Sequence, residues 1–310
     1  MNRSVLMALG LAVLAASCDP GTDEDTQELG ESSQISNSRC HGLDKNRRRE
    51  IVENRTSLGN GYVESYAEVN GCGEPLAIGV AITQAAIDSL PTERNDGALC
   101  WDLDGDGLMN HDTECGWGHN RVLYLPKLPD VPFTYILFNW ATFGHGPLHV
   151  FDKPHFDIHI YDNDNLERLA IRPGPCTSFI NCDDLATATK LLPPEFFPDG
   201  FEYQVGGAAQ GMMGMHIVDT DAPEHHGGEL TQTFAYGAYN GHLTFWEPLV
   251  TLSFLQTRPN TCADIAQPAA VEKTGFYPLQ YCTRYRPHRN DYVITLEDFE
   301  FREGADPAAK

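Results

Sequence analysis

From Pro154 the chain runs His155, Phe156, Asp157, Ile158, His159, Ile160, Tyr161, with polar and apolar positions in strict alternation. A period of two, rich in β-branched and aromatic residues, predicts a half-buried strand. Side chains two apart share a face, so His155, Asp157, His159 and Tyr161 point one way and Phe156, Ile158 and Ile160 the other. The same reading predicts strands over 62–69, 76–82, 121–124, 134–140, 202–205, 215–218, 232–235, 242–246 and 292–296. Turn residues Gly59, Asn60, Gly61, Asn70 and Gly71 punctuate the first of these, and residues 85–90 read as a helical turn stopped by Pro91. Many short strands with few helices predict a mainly β (α+β) fold, a single β-sandwich or barrel-like domain.

Outside these segments the pattern changes at the N-terminus. Arg3 precedes an apolar run over 5–16, then Ser17 and Cys18, which reads as a secretory signal over 1–17. The run of about 12 residues is too short to span a bilayer. A Cys after small residues resembles a bacterial lipobox, with Ala15 where Leu is usual, so Cys18 is the expected lipidation site. Residues 18–57, polar and acidic at first, read as a tether between lipid and domain. The folded domain is expected over 58–302, with a tail over 303–310. The predicted compartment is the bacterial cell envelope, reached by export and held to a membrane by the lipid.

Charge and cysteines narrow the picture. Acids outnumber bases 44 to 21, a formal net charge of −23, which lacks the basic footprint that nucleic-acid binding needs. Apart from Cys18, the cysteines are Cys40, Cys72, Cys100, Cys115, Cys176, Cys182, Cys262 and Cys282. An even number in an exported chain predicts disulfides, and neighbour pairing (40 with 72, 100 with 115, 176 with 182, 262 with 282) is the expectation.

Two constellations carry chemistry. Between Cys100 and Cys115, Asp102, Asp104 and Asp106 occupy positions one, three and five of a calcium-type loop, with Gly107 at six. Leu108 would offer its carbonyl at seven and Asn110 its side chain at nine. Thr113 stands at twelve, where a bidentate Glu is usual, so the flanking Glu114 is the candidate to close the loop. No good helix precedes it, so 95–117 reads as an inserted calcium-binding loop and not an EF-hand.

The second constellation is His145, His155, Asp157, His159, His216 and Glu247. His155 and His159 stand roughly 13 Å apart on a strand rising ~3.3 Å per residue, too far to share one metal. The chelating pair is then His155 with Asp157, or Asp157 with His159, with His216 as third ligand. Glu247 is the candidate fourth ligand or general base. Imidazole with carboxylate suits Zn2+, Fe2+, Mn2+ or Cu2+. The competing account is a buried His/Asp network that only braces the fold. His41, His111, His119, His225, His226, His242 and His288 read as surface residues. The chain has no G-x-S-x-G and no Gly-rich phosphate loop.

Several stretches together resemble a known family: LGNGYVESYAEVNGCGEPLAIGVAI with AAIDSLP, FNWATFGHGPLHVFDKPHFDIHIY, MGMHIVDTDAPE, FAYGAYNGHLTFWEPLVTLSFL and GFYPLQYCTRY. The chain is similar over about 58–302 to an exported bacterial domain-of-unknown-function family, typified by a protein under sigma-E/anti-sigma-E control. The resemblance implies a single mainly β domain, allows a homo-oligomer, and marks His145, His155, Asp157, His159, His216, Glu224 and Glu247 as family positions. It brings no activity. Gly146 stands where such proteins often have Glu, and Ile217 where Trp commonly follows MGMH. The expectation is therefore a calcium-stabilised envelope lipoprotein of unknown activity with a His/Asp/Glu metal site. The alternatives are a metal-dependent oxygenase or hydrolase and a purely structural stress-response protein.

Overall fold

Alternation along 155–161 does produce a strand with those bounds, β6 (His155–Tyr161), but every residue of it is buried. The computed structural model describes residues 45–116, 118–204 and 209–305, which belong to one compact unit. The expected signal sequence, Cys18, Cys40, His41, most of the expected tether and residues 306–310 lie outside the described residues.

Two antiparallel sheets pack face to face as a β-sandwich. The first has the order β1 (Arg49–Leu58), β2 (Gly61–Val69), β3 (Pro75–Thr83), β14 (Asp291–Arg302), β13 (Gly275–Arg286), β12 (Asn260–Asp264). The second has the order β4 (His119–Tyr124), β5 (Tyr135–Ala141), β6, β11 (His242–Thr251), β10 (Gln232–Tyr239), β9 (Gly214–Asp219), β7 (Phe201–Tyr203), and the short β8 (Ala209–Gln210) pairs with β9. Between the sheets lie Val63, Ile78, Val80, Ile82 and Ile294 from one side and Ile136, Phe138, Phe156, Ile158, Ile160 and Trp246 from the other. Burying each such side chain contributes about 1.5–3 kcal/mol before the entropy of ordering is counted.

The second face of β6 is buried because long excursions of chain fold back over it. This is a correction to the half-buried expectation: the cover is non-local, and period two alone cannot report it. The helical turn forms at Gln84–Ile87, capped by the Thr83 hydroxyl accepting from the Ala86 amide.

Several strands differ from the sequence reading. β1 occupies all of 49–58, where all but the last residue was expected to be tether. Its residues are mostly exposed and carry Arg49, Glu50, Glu53 and Arg55, as suits an edge strand that must not pair with another chain, and they show no apolar period. β12 and β13 went unread, the latter because Pro278 lies within it and proline argues against a strand. At the other end, Gly304 still bridges to Val271, so the domain extends past 302. Three of the expected disulfides are present: Cys100–Cys115, Cys176–Cys182 and Cys262–Cys282. They mark an oxidising, exported compartment. Among the described residues no helix is long and apolar enough to cross a membrane.

Candidate metal centres

The outward face of β6 carries His155, Asp157, His159 and Tyr161 at alternate positions, and its two neighbours bring the rest. Register places Asn139 of β5 opposite Asp157 and Leu137 opposite His159. On the other side Leu249 of β11 lies opposite Asp157 and Phe245 opposite Tyr161. Glu247 lies between these two, on the same face by alternation. His216 arrives from β9, opposite Gly237 of β10. A β-carbon on Gly237 would sit 1.9 Å from the Phe245 ring, so glycine there lets that ring lie across β10. Phe245 then packs edge-on against both His159 and His216, with centroids 5.0 and 5.4 Å away.

The six candidate residues gather as two triads, not one site. In the first, His145, His155 and Asp157 converge. His155 Nε2 lies 3.1 Å from Asp157 Oδ1, and His145 Nε2 lies 3.6 Å from Asp157 Oδ2. In the second, His159, His216 and Glu247 converge. His159 Nε2 is 3.1 Å from Glu247 Oε1, and His216 Nε2 is 3.4 Å from Glu247 Oε2. The expected pairing of Asp157 with His155 is therefore present, while His216 joins His159 through Glu247. His145 sits on the loop after β5, a placement no strand period could indicate.

Three of the imidazoles are oriented from behind. His145 Nδ1 donates to the Gly146 carbonyl at 2.9 Å, His155 Nδ1 to the Lys153 carbonyl at 2.6 Å, and His159 Nδ1 to the Leu137 carbonyl at 3.0 Å. A carbonyl can only accept, so each Nδ1 carries the hydrogen, and in the neutral ring Nε2 presents a lone pair to the triad. Metal-bound histidines are held by this outer hydrogen bond. Asp157 Oδ1 and Glu247 Oε2 are buried, and the donors nearest to them are the ring nitrogens of His155 at 3.1 Å and His216 at 3.4 Å, which can pair with them only when protonated at Nε2. Buried carboxylate oxygens without a donor are costly unless a cation meets them.

Electrostatics separate the two centres. Burial opposes the Asp157 charge, but His155 and His145 outweigh it and hold its carboxyl well below the usual range. Burial likewise opposes the His145 cation, yet Asp157 raises His145 above its ordinary value. In the second triad burial dominates. It lowers His159 to about 3 and, with the Asp157 charge beside it, pushes Glu247 well above the carboxylate range. Glu247, read as ligand or general base, thus faces two imidazoles and lacks a compensating charge.

Every triad residue except the fully buried His155 lines one cavity of about 660 Å³ on the outer face of the second sheet. Around it stand Asn139 and Arg168, which the sequence reading left out, and His225, which it placed on the surface. His119, read as a surface residue, is buried and its Nε2 lies 2.9 Å from the Glu93 carbonyl. Glu224 is buried in the turn Pro223–His226 and belongs to neither triad.

The acidic loop is closed by Cys100–Cys115, and ligand oxygens of Asp102, Asp104 and Asp106 lie within 4.8 Å of one another. Each of these side chains also accepts from a backbone amide of the loop, Asp102 from Gly105 and Gly107, Asp104 from Asp106, and Asp106 from Leu108. The Asn110 side chain accepts from the Asp112 amide. Glu114 departs from its expected role. Its carboxylate accepts from the amides of Asn110, Leu103 and Asp104, which hold it below its ordinary range, so it braces the loop from inside.

No family model matches the chain, and neither does any curated protein or solved structure.

Proposed function

We propose that this chain is an exported envelope lipoprotein, anchored through Cys18, whose sandwich holds transition-metal ions in two His/carboxylate centres. His145, His155 and Asp157 would bind one ion and His159, His216 and Glu247 the other. The observation that carries this reading is the convergence of two sets of donors, His145, His155 and Asp157 in one and His159, His216 and Glu247 in the other, each with ligand atoms within 4.8 Å of one another. The donor set, imidazole and carboxylate without thiolate, suits zinc, iron, manganese or copper. Calcium in the 102–110 loop is the companion proposal, supported by the one-three-five spacing and the convergence of Asp102, Asp104 and Asp106. The resemblance to the exported family under sigma-E control fits an envelope role and supplies no reaction.

A second reading is favoured by the number of ligands. Three protein ligands leave a coordination position open, as catalytic metal sites do, so a metal-dependent enzyme of hydrolase or oxygenase type follows if the centres fill. Elemental analysis of the mature protein, purified without a histidine tag and measured before and after a chelator wash, tests the reading. Two equivalents of a transition metal besides calcium are expected. Calcium alone would reduce the histidines to scaffolding, and no metal at all would remove both proposals.

A further inference from the structure

The cavity above the triads has the size of a small-molecule site, and its wall is divided by chemistry. His145, Asp157, His159, His216 and Glu247 form one part. Leu99, Val122, Leu137, Phe179, Met213 and Leu249 give much of the remainder an apolar surface. Pockets of roughly 300–1,000 Å³ enclose most of a small organic ligand, and the cavity of about 660 Å³ falls within that range.

The cationic groups decide what such a ligand can be. Apart from the histidines, Arg168 is the only cationic side chain among the described residues of the wall. Its guanidinium is already engaged. Nη1 donates to the Met212 carbonyl at 2.6 Å, Nε donates to Asn165 Oδ1 at 2.9 Å, and the group lies over the Tyr135 ring. Arg168 is thus held against the wall by two of its nitrogens, buried and over the Tyr135 ring, which limits what it can offer a ligand. A ligand's anionic or dipolar oxygen would find its main counter-charge at the ions held by the triads. An apolar body would lie against the leucines, Val122, Phe179 and Met213, from which it displaces water favourably.

We infer that the cavity takes a small organic molecule with one oxygen-donor head, coordinated to a triad-bound metal, and an apolar body. This rests on the metal-centre reading above, and the test separates the two. Cobalt(II)-loaded protein, its stoichiometry fixed by elemental analysis, is titrated with acetohydroxamate and benzohydroxamate, which share a chelating head and differ in body. The visible cobalt bands report binding, and each affinity is divided by that of the same compound for free cobalt(II). Benzohydroxamate is expected to bind at least tenfold tighter on that scale. Val122→Trp, or Ala98→Trp should the first fold poorly, adds bulk at a wall position that is not itself a triad residue. Either is expected to abolish the tenfold preference while leaving cobalt content and acetohydroxamate binding in place. Equal normalised affinities in the unaltered protein, or a preference that survives the added bulk, would overturn the inference and leave the metal centres standing. Failure to bind cobalt would overturn both.

Discussion

The Nε2 atoms of His145 and His155 lie 3.0 Å apart, their rings edge to face at 84°, although one residue is on a loop and the other inside a buried strand. Each ring spends its Nδ1 hydrogen on a backbone carbonyl. The two Nε2 atoms and the Asp157 carboxylate thus meet at one point, which either a proton on one ring or a bound cation can hold together.

Removing a ligand from one centre should spare the other. His145→Ala is expected to lower metal affinity at its centre by about 100-fold or more, beyond the 10–100-fold lost when only an outer hydrogen-bond partner goes. The centre of His159, His216 and Glu247 keeps its ion. Metal content after dialysis against a weak chelator checks this, and retention of both equivalents would show that His145 is not a ligand.

Glu247→Gln separates metal binding from packing by sign. Burial disfavours the Glu247 charge, so without metal the neutral amide is expected to leave the melting temperature unchanged or raise it. With metal the variant should lose most of the metal-induced rise, because stabilisation follows RT ln(1 + [L]/Kd). Paired melts with and without zinc read both effects. A large loss in the metal-free protein would instead mark Glu247 as a bracing group.

Gly237 is held at glycine by the Phe245 ring, which fills the space a β-carbon would need. Gly237→Ala should push that ring toward His159 and His216, with an overpacking penalty of about 1–3 kcal/mol. Urea unfolding gives the stability change, and metal affinity at the His159 centre should fall with it. A neutral result would mean that β10 can shift to make room.

A pH effect is expected at the far end of β6. Asp162 is buried, which raises its carboxyl to about 7, and nearby Lys273 only partly offsets the burial. Its folded value lies above the unfolded one near 3.9. Its contribution to stability is therefore complete below about pH 4 and is lost as pH rises through about 7. Asp162→Asn should remove that loss, gaining roughly 1–3 kcal/mol at pH 8 and little at pH 4. Lys273 also donates to the Asp162 backbone carbonyl, a bond the variant keeps. Chemical denaturation at the two pH values measures the difference, and an equal effect at both would remove titration as its cause.

Much of the fold was legible because its signals are local. The period of two in 155–161, the turn residues after β1 and β2, and the one-three-five aspartates each act over a few residues. Neighbour pairing of cysteines held for the three pairs within the described residues for a similar reason, since Cys262 and Cys282 face each other across adjacent strands β12 and β13. β1 was not legible because an edge strand exposed on charged positions needs no apolar period. β13 was masked by Pro278, which pairs opposite Phe299 within the ladder.

The candidate site divides along the same line. Sequence alone determined which residues could be ligands and that His155 and His159 could not share an ion, because strand rise sets their separation whatever surrounds them. Only the tertiary structure decided the partition into two triads. His145 reaches Asp157 through the loop after β5, and His216 reaches Glu247 across β10, two strands from β6. Those distances depend on sheet order and on excursions covering the outer face of β6. Sheet order follows from which surfaces bury best against each other, a property of the whole chain that no short window contains.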